Sequence, residues 1–154
     1  MARKKLPRPE PEQLVARIES FEQTYYLSED RTHREPVQDE AVIEIIAAIE
    51  WVTSRHKQHV GEKIEISLLC AQSFGAEEPH EVRSHPFLLM MNLRKNIRSC
   101  MAYLPANAFW SIPQMIEAGR VTHVHLMFEP LNRGSSTLLS VYLIPETKVA
   151  DLIS

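Results

Sequence analysis

The chain has 154 residues and a formal net charge of −3, with 44% hydrophobic and 24% charged residues. That is long enough to bury one core and too apolar for a disordered chain, and the slight acidity argues against a general nucleic-acid coat. Only four glycines occur, Gly61, Gly75, Gly119 and Gly134, which removes both the GxGxxG and the GxxxxGK[ST] phosphate loops.

Residues Met1 to Glu10 combine Arg3, Lys4, Lys5 and Arg8 with Pro7 and Pro9, the composition of a flexible basic tail (1–10) ahead of a single domain (11–154). No apolar run follows the basic start, and AVIEIIAAIEWV is interrupted by Glu44 and Glu50. Neither a secretory signal nor a membrane span is expected, and the protein is placed in the cytoplasm. Cys70 and Cys100, with no CxxC pairing, read as two buried reduced thiols.

From Pro11 onward, Leu14, Ile18, Phe21 and Tyr25 recur at i, i+4, i+7 and i+11, which predicts an amphipathic helix ending near Leu27. The polar stretch SEDRTHREP reads as a mobile linker. A second helix is predicted from Asp39, a good N-cap, to about Val60, with Gly61 as its stop. Its stripe of Val42, Ile45, Ile46, Ile49 and Val52 is broadened by Ile43, Ala47 and Ala48. Such breadth suggests contact on two sides, the sheet on one and the first helix or a second subunit on the other.

Lys63 to Phe74 reads as a strand and GAEEPHE as a loop. Two strands are expected next, Phe87 to Leu93 and Ile97 to Leu104, joined around Arg94 to Asn96; one helix through 87–104 is the competing assignment. LPANAFWSIPQMIEAGR predicts a helix broken at Pro113, with Asn107 capping the first piece. Ser111 and Gln114 form a capping box for the second piece, which Gly119 closes.

Val121 to Ile144 reads as an antiparallel hairpin turning at EPLNRGSS. Alternation places Thr122, Val124, Leu126 and Phe128 with Leu139, Val141 and Leu143 on an inward apolar face. His123, His125, Ser140 and Tyr142 fall on the outward one. The expected fold class is α+β, in the order ααβββαββ: a mostly antiparallel sheet of about five strands, two N-terminal helices, and a broken helix before the C-terminal hairpin.

His123, His125 and Glu129 would share a strand face and present two imidazoles and a carboxylate to a divalent metal with open positions. This HxHxxxE resembles part of the first metal motif of cupin barrels, although no histidine follows Gly134 to supply the family's second motif. His80 and His85, near Glu77, Glu78 and Glu81, read as a solvated charged loop, and His56 and His59 as polar residues near a helix C-terminus. Arg83, Arg94, Lys95, Arg98, Arg120 and Arg133 make a locally basic stretch. With Phe87, Tyr103, Phe109, Trp110 and Tyr142, it suggests a sheet on which bases stack. No serine sits in a GxSxG turn, and Asp30, Asp39 and Asp151 are the only aspartates, so a hydrolase is not expected.

With no complete catalytic set and no cofactor site, the leading expectation is a non-catalytic binding or adaptor protein acting through an open sheet face and an apolar helix. Its expected partner is another protein or itself as a homodimer, and no membrane is involved. Nucleic-acid binding through 83–133 and a metal-dependent enzyme centred on His123 and His125 are the alternatives. The candidate surface comprises Arg94, Lys95, Arg98, His123, His125 and Tyr142.

Overall fold

The computed structural model describes residues 6–29, 37–72 and 87–153. Seven strands close into a barrel: β1 (Glu12–Glu29), β2 (Val37–Val52), β3 (Lys63–Gln72), β4 (Leu88–Leu93), β5 (Arg98–Tyr103), β6 (His123–Phe128) and β7 (Ser135–Ile144). Their order around the wall is β1-β2-β3-β5-β4-β7-β6, and β6 pairs with β1 to complete it. Neighbours are antiparallel except β3 and β5, which run parallel because β5 returns between β3 and β4. Helix α1 (Ala106–Glu117) joins β5 to β6, and a short helix α2 (Val149–Ile153) follows β7.

The α+β architecture with two N-terminal helices is therefore overturned, since both predicted helices are strands. Leu14, Ile18, Phe21 and Tyr25 do share a face, but in a strand. Spacings of four fit a period of two, and the single odd step, from Ile18 to Phe21, is absorbed by a β-bulge between Ile18 and Ser20. In β2, Ala41, Ile43, Ile45, Ala47 and Ile49 alternate strictly into the core. What looked like an over-wide helical stripe is both faces of a strand. Its β-branched residues lose less side-chain freedom in a strand than in a helix. Asp39 caps nothing; it lies in β2 and accepts a hydrogen bond from the Tyr25 hydroxyl at 3.2 Å.

The two-strand assignment of 87–104 holds, as does the strand beginning at Lys63, described as far as Gln72; Ser73 and Phe74 lie outside the described residues. The helix after β5 is continuous through Pro113 and starts after Pro105. Ser111 donates to the Asn107 carbonyl at 3.0 Å, one turn back, where a capping box was expected. A proline costs an interior helical turn about 3 kcal/mol. Phe109 and Ile112, both buried in the barrel core, hold the helix across that cost.

Barrel residues point inward on alternate positions and fill the interior: Leu14, Ala16, Ile43, Ile45, Ile64, Ile66, Leu68, Cys100, Val124, Leu126 and Phe128 among them. α1 spans the end at which β5 finishes and β6 starts, lowering Phe109 and Ile112 into that core. A 3-10 helix, Ser54–His59, sits at the other end between β2 and β3. Cys70 and Cys100 are buried and not bonded to each other, and burial pushes the Cys100 thiol up to about 12, which leaves it protonated and unreactive.

The β6–β7 hairpin forms as expected, with one correction of face. A bulge between Met127 and Phe128 pairs Phe128 with Leu138 and Met127 with Ser140. Leu138 is thereby turned into the core and Leu139 to the surface. The turn is a two-residue loop in which Arg133 (φ 53°) and Gly134 (φ 82°) both have positive φ, as a type I′ hairpin requires. Gly134 is constrained twice, because a Cβ there would lie 2.6 Å from Arg94 Cγ. Gly134→Ala is expected to cost about 1 to 3 kcal/mol in denaturant unfolding; an unchanged midpoint would contradict this turn geometry.

Candidate functional site

The outer wall of β1, β6 and β7 carries a connected set of polar side chains. Pairing aligns Val15 with His125 and Tyr142, and Arg17 with His123, all on the outward face. Yet His123 and His125 are only 3% and 6% exposed, so these are buried polar groups rather than surface histidines. Each ring has its own partners. His125 Nε2 lies 2.9 Å from Gln13 Oε1, which makes that nitrogen the donor, and the ring stacks on Tyr142 with centroids 5.5 Å apart. Thr122 Oγ1 lies 2.8 Å from His123 Nδ1, and Glu50 Oε2 lies 3.4 Å from His123 Nε2. Arg17 Nε takes the other Glu50 oxygen at 3.3 Å.

Burial holds the His125 imidazole below its ordinary pKa of 6.5. The folded ring is neutral near pH 7, and as pH falls the unfolded chain takes up its proton first. Stability is thus full above the unfolded pKa and declines as pH drops from there towards the lower folded value. Denaturant titrations at about pH 7.5 and 5.5 measure this: His125→Gln is expected to lose part of the acid destabilisation, and equal losses in both proteins would contradict it.

Thr122, His123 and Glu50 are linked in the order hydroxyl, imidazole, carboxylate, yet they do not make a catalytic relay. Glu50 is shared with Arg17, and the Thr122 N–H already donates to the Ile144 carbonyl at 3.0 Å, so it is not available as an oxyanion donor. Glu129 lies beyond the end of β6, exposed, with its N–H donating to Thr137. Among the described residues no group of three or more His, Cys, Asp or Glu side chains is placed to hold one metal ion.

The basic candidates lie elsewhere, at the barrel end that carries the 3-10 helix. The Arg98 guanidinium donates to the carbonyls of Lys63 at 2.8 Å and Lys95 at 2.7 Å and pairs with Glu62 at 3.3 Å. Arg94 packs over Gly134 and donates to Ser135 Oγ at 2.8 Å. Both arginines thus brace the β4–β5 and β6–β7 turns, and only Lys95 extends from this trio without such a brace among the described bonds. Arg83, His80, His85, Glu77, Glu78 and Glu81 lie outside the described residues.

Sequence reasoning missed Glu12. It is 3% exposed at the barrel rim, where its Oε2 lies 2.6 Å from His56 Nε2 and its Oε1 3.5 Å from an Arg55 nitrogen. His59 similarly meets Glu62 at 2.7 Å. The two histidines therefore tie the 3-10 helix to β1 and to the lead-in of β3. His59 and Glu62 are only three residues apart, whereas Glu12 reaches His56 because β1 pairs with β2, which no local spacing announces.

A different feature is unsatisfied. β1 pairs with β6 only over Glu12–Arg17, and the Ile18 N–H then reaches the Thr122 carbonyl at 2.9 Å. From Ser20 to Glu29 it has β2 on one side, and among the described residues no strand on the other. That ten-residue edge is roughly 33 Å long, and Tyr25, Tyr26 and Leu27 along it are about half exposed, at 52%, 49% and 57%. A groove of about 630 Å³ opens where β6 starts, between residues 17–21 of β1, Ile116 of α1, residues 121–123 and Glu146. Another groove, of about 530 Å³, lies over the β3–β5 contact beside Met90 and Ile97. The cations at its end, Lys63 and Arg98, are paired with Glu19 and Glu62.

Comparison of the chain with protein families, with characterised proteins and with solved structures finds no match in any of the three.

Proposed function

We propose that this protein is a non-catalytic binding module that takes up an extended polypeptide segment by adding it as a strand to the open edge of β1. The one observation that carries this is the Ser20–Glu29 edge, paired on a single side among the described residues and rooted in the groove where the next strand would begin. Exposed strand edges are normally blunted with lysine, proline or short length. This one is ten residues long and contains neither lysine nor proline. Strand addition gives affinity through main-chain hydrogen bonds and selectivity through alternate side chains.

The homodimer expected from a wide apolar helix loses its basis, because that helix is β2 in the barrel wall. Nucleic-acid binding is disfavoured by the internal bonds of Arg94 and Arg98, and metal catalysis by the separate hydrogen bonds of His123 and His125. Among the described residues no helix is long and apolar enough to cross a membrane. The apolar interior and the charged outer positions, such as Arg17, Glu44 and Glu65, are the inverse of a barrel wall facing lipid. Together with two buried thiols not joined in a disulfide, this favours a cytoplasmic setting.

A synthetic Val/Thr peptide of about twelve residues, matched to the edge, tests the reading. Its binding is expected to slow amide exchange across 20–29. N-methylation at one alternating set of peptide positions should abolish binding, while methylation at the other set should spare it. Equal effects of the two sets, or no protection at β1, would dispose of strand addition.

A further inference from the structure

Resting on the strand-addition reading, we infer that the segment received by the β1 edge is rich in lysine or arginine and comes from a partner polypeptide, not from β1 of a second copy. The charge on the edge is one-sided. Residues 20–29 contain Glu22 and Glu29, and the facing residues 39–46 of β2 contain Asp39, Glu40 and Glu44, with no lysine or arginine in either stretch. The connecting residues 30–36 set Arg31 and Arg34 against Asp30 and Glu35, so they leave that balance unchanged.

Pairing concentrates the acids. Glu22 stands directly opposite Glu44, and Tyr26 opposite Glu40. Like charges directly opposite are unfavourable in a sheet, and a cationic side chain on the next strand relieves them. Near the root of the edge Arg17 is paired with Glu50 and Lys63 with Glu19, while Glu146 adds a further carboxylate to the groove. Two copies of β1 pairing edge to edge would add two further carboxylates, Glu22 and Glu29 of the second copy, and no cation to offset the first pair. A strand with lysines at alternate positions meets Glu22 and its neighbours with opposite charge instead, and it supplies the main-chain ladder in the same step.

Three peptides on one Val/Thr frame, carrying lysine, glutamine or glutamate at alternate positions, are titrated against the whole chain by fluorescence anisotropy. Exchange at 20–29 is followed in parallel. With each exposed pair contributing modestly, the lysine peptide is expected to bind roughly tenfold or more tighter than the glutamine peptide. That advantage should shrink towards nothing near 1 M salt, where screening acts within about 3 Å. The double variant Glu22→Lys, Glu44→Lys, both at exposed positions, should invert the preference towards the glutamate peptide.

Equal affinity for the lysine and glutamine peptides, with protection of 20–29, would overturn the charge inference and leave strand addition standing. No protection by any peptide would overturn both. Self-association of the chain with protection of 20–29 would replace the partner by a second copy and so overturn the inference.

Discussion

Phe128→Ala is expected to lower the unfolding free energy by about 3 to 5 kcal/mol. The ring is fully buried on the inward face of β6, and the β6–β7 bulge sets it opposite Leu138, itself 1% exposed. Truncation leaves a cavity lined by rigid barrel strands, which cannot collapse into it as a loop would, so the upper part of the range applies. His125→Ala, three residues away on the outward face, is expected to cost less, roughly 1 to 3 kcal/mol, because it strands the Gln13 amide oxygen and removes the ring stacked on Tyr142. Urea unfolding of the two variants measures the difference. A larger loss at His125 than at Phe128 would mean that the inner and outer faces of β6 are exchanged.

Phe109→Ala should cost a comparable amount, about 3 to 5 kcal/mol, for a different reason. Phe109 and Ile112 are the buried side chains through which α1 covers the barrel end. Losing the ring removes the larger contact that holds a proline-containing helix in place. Trp110, next in sequence and packed edge-on against Phe109 at 5.1 Å, is 47% exposed, and Trp110→Ala is expected to cost about 1 kcal/mol or less. Amide exchange in α1 should quicken in the Phe109 variant. Parity of the two substitutions in unfolding free energy would show that α1 does not seal the core.

The C-terminal half of the chain was largely legible in the sequence. Alternation over His123–Phe128, the turn residues Asn132 and Gly134, and the paired runs either side of Arg94–Asn96 are local signals with local causes, and the strands form where those signals fall. The N-terminal half misled because apolar spacings of four belong to both periods. In Glu12–Glu29 a bulge between Ile18 and Ser20 shifts the phase, so the inward set Leu14, Ile18, Phe21 and Tyr25 mimics a helical stripe. In Val37–Val52 the outward positions Val42 and Ile46 are apolar as well, which hid the strict alternation of Ala41, Ile43, Ile45, Ala47 and Ile49.

The candidate site was legible only in part. His123, His125 and Tyr142 were identified on the outward face, and pairing does bring His125 and Tyr142 together. Their partners Gln13, Arg17 and Glu50 come from strands taken for helices, so neither the burial of the rings nor their separate hydrogen bonds was foreseeable. Arg94 and Arg98 were read as a surface for phosphates, and they are turn braces because the β4–β5 and β6–β7 turns lie side by side.

By itself the sequence determined how each C-terminal segment divides into a greasy side and a polar side, where that hairpin turns, and that no phosphate loop exists. Those properties depend on neighbours a few residues apart. Tertiary structure alone decided that the sheet closes on itself, that Glu12 and the two strand histidines are buried, and that Ser20–Glu29 pairs on one side only among the described residues. Closure depends on the main-chain hydrogen bonds between β1 and β6, more than a hundred residues apart. Such bonds can form between backbones of almost any side-chain composition, so no residue pattern records which strands will make them.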